Sequence, residues 1–230
     1  MLSYTKKGLY CRAGQFYIDP IQPVKTALIT HGHADHARWE MKHYIATPET
    51  CQIMKVRLGA DICTQEKPYH QPFDCGDVKV TLIPAGHILG SAQVVIDDGN
   101  TTAVVTGDFK TDNDQTVQPY QAVKTDLLVM ETTFALPIYH WPCSKLVFDQ
   151  INAFWQKNQS QGMHTVLYAY SLGKAQRLIA GINRHLGPVA VHTAVDKMNQ
   201  IYIDAGRLPY QPPVCTKQEI SGWDQPGLII

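Results

Sequence analysis

The sequence THGHADH at residues 30–36 decides the fold, because it places three imidazoles and a carboxylate within six consecutive positions. The three residues before it are apolar and predict a buried strand that ends where the histidines begin. Side chains two positions apart on an extended chain point the same way, so His31 and His33 can converge on one ion. Asp35 and His36 follow where the chain turns, and we expect them to face a second ion. Nitrogen and oxygen ligands at this spacing are typical of zinc or a similar metal.

Two later strand ends carry further side chains of the kinds that bind metals. Residues 80–83 predict a strand, and His87 follows it between two glycines that let the backbone bend closely around an imidazole. Residues 101–105 predict another strand, with Asp108 just past its end. These residues predict a two-metal site. One ion would be held by His31, His33 and His87 and the other by Asp35 and His36, with Asp108 bridging the two.

The order of these motifs resembles the metallo-β-lactamase fold of hydrolases. Residues 131–134 (ETTF), after an apolar run, resemble the acidic first motif of the β-CASP nucleases, the branch of that fold that acts on DNA and RNA phosphodiesters. Residues 168–177 (YAYSLGKAQR) resemble the strand-to-helix turn of the inserted β-CASP domain. Within that branch, residues 8–11, 16–20 and 136–139 are most similar to bacterial ligase-associated DNA exonucleases.

The resemblance implies an α/β protein with a metallo-β-lactamase αββα sandwich, incomplete here, and an inserted β-CASP α/β domain. The sequence predicts a strand-rich first part with a helix over 48–58, capped by Thr47 and ended by Gly59. Later residues alternate between helix and strand, which predicts a small parallel sheet with flanking helices. We assign residues 1–137 to the amino-terminal portion of the metallo-β-lactamase domain and residues 138–230 to part of the β-CASP domain.

Two adjacent divalent metals, zinc first and manganese as the alternative, would supply a bridging hydroxide as the nucleophile. Three carboxylates are predicted to act in catalysis. Asp35 would orient the hydroxide, and Asp108 would bridge the ions. Glu131 would align a histidine acid; the alternative is that it accepts a hydrogen bond from a strand-end amide.

A phosphate site is predicted after residue 170. We expect a helix over 172–185 with Ser171 as its cap, and we expect Gly173 to leave backbone amides open at the amino end. Lys174 opposes the helix dipole there, which a phosphate partner would explain; a tolerated surface lysine is the alternative. The predicted substrate-binding residues are Ser171, Gly173, Lys174 and Arg177.

The charge balance bears on the substrate. With 20 basic and 20 acidic residues the net charge is zero, which gives no support to a broad basic face that holds nucleic acid. The resemblance implies a DNA-repair exonuclease acting on single-stranded or end-exposed DNA, with a DNA ligase and a helicase as partners. An RNA-processing β-CASP ribonuclease is the alternative, because nothing in the sequence reports the sugar. A thioesterase or lactonase of the same fold is a more distant alternative, because residues 131–134 and the second domain argue against it.

The end of the sequence differs from the family pattern. β-CASP enzymes resemble one another in two further histidines after the inserted domain, and here no histidine follows His192. Residues 226–230 predict a turn entering a buried strand rather than an exposed polar terminus. We interpret the sequence as part of a longer nuclease whose second metal is weakly held. An inactive nucleic-acid-binding remnant is the alternative if the chain ends at Ile230.

The composition predicts a cytoplasmic protein that does not enter a membrane. No stretch reaches the ~20 apolar residues needed to cross a bilayer, and the first residues lack the apolar segment of a secretory signal. The six cysteines form no CxxC pair, which suggests reduced thiols.

Overall fold

The computed structural model describes residues 1–230, and the chain divides into two compact units, Met1–Thr132 and Thr133–Ile230. Both units contain strands and helices, so the chain is a mixed α/β protein. The predicted boundary between residues 137 and 138 lies in an irregular segment of the second unit. The correspondence of these units to the two named domains stays a prediction.

The first unit opens with a six-stranded sheet in which strand order follows chain order. Pairing is antiparallel through the third strand and parallel from the third to the sixth. Parallel strands end at a common edge, and the segment 30–36 leaves the fourth strand at that edge. The strands are β1 (Leu2–Thr5), β2 (Gly8–Cys11), β3 (Phe16–Ile18), β4 (Ala27–Leu28), β5 (Tyr44–Ala46) and β6 (Thr64–Glu66).

A second sheet of five strands completes the first unit. Its order is β11-β10-β9-β8-β7, and only the β10–β11 pair is parallel. Burial alternates along β8, as expected for a strand with one face on a core. His87 lies between β8 and β9, and Asp108 follows β10. The strands are β7 (Phe73–Cys75), β8 (Val78–Pro84), β9 (Ala92–Asp97), β10 (Thr102–Val105) and β11 (Leu127–Val129).

The helix α1 (Pro48–Leu58) has the predicted bounds. The Thr47 side chain accepts a hydrogen bond from the Thr50 amide, and Gly59 ends the helix. Two apolar clusters fix the layers of the first unit. One takes buried side chains from both sheets, including Phe16, Leu28, Val80, Leu82, Val94 and Ile96. The other lies between the first sheet and α1 and includes Ile29, Tyr44, Met54 and Leu58.

The second unit has a three-stranded parallel sheet with helices around it, as predicted. The predicted strand near the end of the sequence is its central strand. None of the helices has the length and apolar content that a membrane crossing requires. The elements are α2 (Ser144–Ser160), β12 (Thr165–Val166), α3 (Lys174–Gly181), β13 (Val189–Ala190), α4 (Thr193–Asp204), α5 (Lys217–Ser221) and β14 (Leu228–Ile229).

The predicted helix over 172–185 is wrong at both ends. The helix α3 begins at Lys174, and its cap is Gly173 (φ 90°), not Ser171. The buried Gln176 side chain explains the later start, because its Oε1 accepts the Gly173 amide (2.7 Å) and its Nε2 donates to the Ser171 carbonyl (3.0 Å). The Gly173 amide, which we expected to be open, is therefore already paired. The predicted strand over 165–170 is likewise limited to β12.

Candidate metal centre

The chain turns sharply after β4, and hydrogen bonds hold this turn. The amide of Ala37 donates to the His33 carbonyl (2.8 Å), which closes the loop. Thr30, buried just before the loop, donates from its amide (2.8 Å) and its hydroxyl (2.6 Å) to the Asp19 carboxylate. His31 is fully buried. The first ligand loop, residues 31–37, is thus fixed from both ends.

One group of four donor atoms meets at this loop. His33 Nδ1 lies 3.1 Å from His31 Nε2 and 3.2 Å from His87 Nε2. Asp108 Oδ2 lies 3.5 Å from His87 Nε2 and 3.8 Å from His31 Nε2. All four residues offer atoms within 4.8 Å of one another. Ligands bound at ~2.0–2.1 Å to a tetrahedral zinc lie ~3.3 Å apart, so this donor set fits such an ion.

A second, smaller group lies beside the first. Asp108 turns its other oxygen, Oδ1, to His36 Nε2 at 3.2 Å. Asp35 Oδ2 lies 3.7 Å from the same nitrogen, and the Asp35 side chain is 72% exposed. The structure thus brings the six predicted ligands together, with Asp108 between a group of three histidines and a pair formed by Asp35 and His36. Their role as ligands stays a prediction.

Asp19 orients both groups, and the sequence analysis missed it. Its Oδ2 lies 2.7 Å from His36 Nδ1 and also accepts the Thr30 hydroxyl. Since that hydroxyl proton goes to Asp19, the Thr30 oxygen accepts from His31 Nδ1 (3.1 Å). Both imidazoles then present an unprotonated Nε2 when neutral, the arrangement that carboxylates impose on metal-binding histidines. The available signal was a carboxylate directly after β3.

The pKa values of the histidines are shifted in opposite directions, down for His31 and His87 and up for His36. Burial, then the neighbouring imidazoles, holds the pKa of His31 well below its usual value. Burial likewise lowers the pKa of His87 to about 4. Burial also opposes charge on His36, but hydrogen bonds to Asp108 and Asp19 outweigh it and raise its pKa to about 10. The pKa of Asp108 is lowered because the His36 partner outweighs desolvation. Without metal, His36 is therefore an imidazolium between two carboxylates.

These shifts predict a stability optimum for metal-free protein near pH 6.5. Because the pKa of His36 is higher in the folded than in the unfolded chain, protonation of His36 stabilises the fold. This contribution is complete below pH 6.5 and is lost as the pH rises towards about 10. The pKa of His87 is lower in the folded than in the unfolded chain, so the unfolded chain takes up a proton first. His87 therefore destabilises the fold as the pH falls from 6.5 towards about 4. Urea unfolding of chelator-treated protein at about pH 5, 6.5 and 9 measures this. His36→Gln should flatten the alkaline fall and His87→Gln should reduce the acid fall; equal stability at all three values would contradict the assignment.

Glu131 lies near this centre. Its Oε1 accepts a hydrogen bond from the Phe109 amide at 3.2 Å, next in sequence to Asp108. The partner is a backbone amide, as in the alternative role, but Phe109 lies four residues after the end of β10, and the catalytic role of Glu131 stays a prediction. An open cavity of about 300 Å³ is lined by Asp35, His36, Asp108 and Glu131 on its polar side. Of the six predicted ligands, Asp35, His36 and Asp108 are therefore accessible to a molecule from this cavity.

The predicted substrate-binding residues all lie in the second unit. Lys174 is exposed, with its Nζ 5.4 Å from the centre of the Tyr170 ring. Tyr170 itself is 74% exposed. Arg177 donates to the Ser144 hydroxyl (2.7 Å), and Ser171 and Gly173 are bound to the Gln176 side chain. Of the four, Lys174 offers the most exposed cation.

Two known proteins are similar in sequence to most of this chain. The chain is 32% identical over 204 residues to a probable DNA ligase from Opitutus terrae, a match that spans 86% of this chain and 20% of that protein. It is 25% identical over 158 residues to cleavage and polyadenylation specificity factor 73 of Drosophila melanogaster, spanning 66% of this chain and 23% of the relative. The chain thus spans less than a quarter of the length of either relative.

A solved structure supports the fold alone. A protein of unknown function from Enterococcus faecalis V583 superposes with a TM-score of 0.59 at 11% identity, over 89% of this chain and 58% of that one. No family model matches the sequence.

Proposed function

Because the chain belongs to the β-CASP branch of the metallo-β-lactamase-fold nucleases, we propose that it carries the metal centre of a phosphodiesterase that degrades DNA. The first unit corresponds in this proposal to part of the αββα sandwich, and the second to part of the β-CASP domain. The cofactor is a pair of divalent ions, with zinc as the first choice because imidazole nitrogen predominates among the donors.

The observation that carries the proposal is the position of the Asp108 carboxylate. Its two oxygens face different groups: Oδ2 faces His31 and His87, and Oδ1 faces His36. A carboxylate with ligand-type nitrogens on both sides is suited to hold two cations a few ångströms apart. Such a pair, when bound, supplies Lewis acidity that activates water and offsets the negative charge of a phosphodiester.

The surrounding residues keep this geometry fixed. Asp19 holds the His36 ring and, through Thr30, the His31 ring, so that neither needs to reorient when substrate arrives. Glu131 fixes the Phe109 amide and with it the backbone that carries Asp108. Asp35 is exposed at the cavity, where its carboxylate can orient a water for attack.

DNA is the proposed substrate because a relative is a probable DNA ligase. RNA is the second candidate, favoured by the similarity to a cleavage and polyadenylation factor. The test uses end-labelled single strands of one sequence, made as DNA and as RNA, incubated with the chain and Zn²⁺ or Mn²⁺. Faster shortening of DNA supports the proposal, and faster cleavage of RNA supports the alternative. If neither the DNA nor the RNA strand is hydrolysed in the presence of metal, both candidate functions are overturned.

Lys174 is proposed to bind a substrate phosphate. We expect Lys174→Ala to raise KM for single-stranded DNA about three- to tenfold and to reduce the salt dependence of binding by about one phosphate contact, with little change in kcat. Lys157→Ala, which removes another exposed lysine of the second unit, is the matched control. An unchanged KM in Lys174→Ala would leave this residue as a tolerated surface lysine.

A further inference from the structure

The last turn of α1 forms hydrogen bonds to the first ligand loop through the Arg57 side chain, in addition to the apolar packing around Ala37. Arg57 Nη1 lies 2.7 Å from the Gly32 carbonyl oxygen and 3.5 Å from that of Ala37. Gly32 separates His31 from His33, and Ala37 directly follows His36. The half-buried guanidinium therefore bridges the two ends of the loop that carries four of the six predicted ligands.

We propose that Arg57 is a positioning residue, which sets the separation of the metal ligands on the first ligand loop without contacting the metals. This inference rests on the proposed metal centre. The Gly32 carbonyl belongs to the peptide that joins Gly32 to His33. Fixing its direction limits rotation of the backbone between the two histidines, so their nitrogens keep the 3.1 Å separation.

Arginine suits this position better than lysine does. A planar guanidinium offers several N–H donors in fixed directions, so one group can serve two carbonyl oxygens at once. A lysine ammonium keeps the charge but has a shorter reach to the second carbonyl and no fixed plane. Burial lowers the pKa of Arg57, and the nearby Asp35 carboxylate partly opposes that shift.

The opposite end of α1 holds a second ligand loop, residues 85–91 between β8 and β9, which carries His87. The hydroxyls of Thr47 (2.7 Å) and Thr50 (2.9 Å) both donate to the carbonyl oxygen of Gly90, three residues after His87. A Cβ on Gly90 would meet Thr50 Oγ1 at 2.7 Å, so the loop is packed directly on the helix. One rigid helix thus binds both loops, and its length fixes the spacing between them. Arg57 makes its hydrogen bonds to the loop of four ligands.

An ordinary structural role is the competing explanation. A cation in the last turn of a helix interacts favourably with the helix dipole, and Arg57 occupies that turn. Such a role would change the free energy of unfolding but leave the geometry and affinity of the metal site in the folded protein unchanged. Metal affinity and metal spectra therefore separate the two roles.

The experiment titrates metal-free protein with Co²⁺ and follows the visible absorption bands that report ligand geometry. The variants are Arg57→Met, which removes the donors and the charge, and Arg57→Lys, which keeps the charge. Lys55→Met is the matched control, since Lys55 lies on the same helix and its ion pair is with Glu66, at 3.7 Å, rather than with the ligand loop. We expect Arg57→Met to weaken Co²⁺ binding about 10–100-fold, as for other groups that orient ligands, and to shift the bands.

The outcomes distinguish this inference from the proposed function. We expect Arg57→Lys to lose at least several-fold in affinity and Lys55→Met to bind as the parent chain does. If the parent chain takes up no Co²⁺, the proposed metal centre fails. If it does, and folded Arg57 variants keep its affinity and bands, Arg57 is not a positioning residue even when their urea midpoint falls. If Arg57→Met does not fold, Arg57→Lys decides by the same titration.

Discussion

Asp108→Ala should abolish two-metal binding, leaving at most one weakly bound ion per chain, and lower phosphodiester hydrolysis by at least about 1,000-fold relative to the parent chain. The reason is that Asp108 contributes an oxygen to each group of donors, at 3.5 Å from His87 Nε2 and 3.2 Å from His36 Nε2. Its removal would take one oxygen from each group of predicted ligands, and with it the proposed bridge between two ions. Metal content after dialysis, measured by elemental mass spectrometry, checks the first part.

The control for this variant is Asp112→Ala. Asp112 is exposed and lies four residues further along the same segment, so it tests the loss of one negative charge from this region. We expect it to keep the parent's metal content and activity. A folded Asp108→Ala protein that retains two ions and full hydrolysis would show that the two-metal assignment is wrong.

Gly107→Ala should destabilise the first unit by about 3 kcal/mol or more and abolish metal binding in the protein that remains folded. Gly107 has φ 57°, and a Cβ there would lie 2.5 Å from Thr30 Oγ1 and 2.6 Å from Thr30 Cβ. Thr30 cannot move away, because it is buried and bound to Asp19. The strain therefore reaches His31 and Asp108, the neighbours in sequence of the two clashing residues.

Gly99→Ala isolates the contribution of the backbone. Gly99 also has positive φ (86°), but a Cβ would meet no atom within 4 Å. It should lose only about 1–2 kcal/mol, the cost of the left-handed conformation itself. Urea unfolding compares the two variants, with Co²⁺ binding as the second readout. Equal losses in both would mean that the contact with Thr30 does not constrain the site.

Local patterns were enough to predict much of the first unit. The helix over 48–58 was predicted with its cap and its stop, because Thr47, Pro48 and Gly59 act on backbone within one turn. The spacing of the histidines and the strand-end position of Asp108 were enough to name candidate ligands, which the fold brings together from the ends of strands in two sheets. The helix depends on residues close in sequence, and each group of candidates follows the end of a strand.

Local patterns failed where a nearby side chain, itself held by a buried tertiary partner, competed with the predicted cap. Ser171 has the properties of a helix cap, but Gln176, which is buried and also bound to Asn199, holds the Gly173 amide and the Ser171 carbonyl. The helix therefore begins three residues after Ser171. The bonds that Gln176 makes to Gly173 and Ser171 are local. However, Asn199, 23 positions away, holds the Gln176 side chain, and no local pattern records that contact.

The sequence by itself determined the six candidate ligands and the small parallel sheet, since each follows from short-range periodicity or strand-end chemistry, and its resemblance to a known family implied the α/β class. Only the tertiary structure decided which groups hold those ligands in place. Asp19 reaches His36 across 17 positions, and Arg57 reaches Gly32 across 25. Contacts of that length arise when strands and helices pack, and no pattern within one element records them.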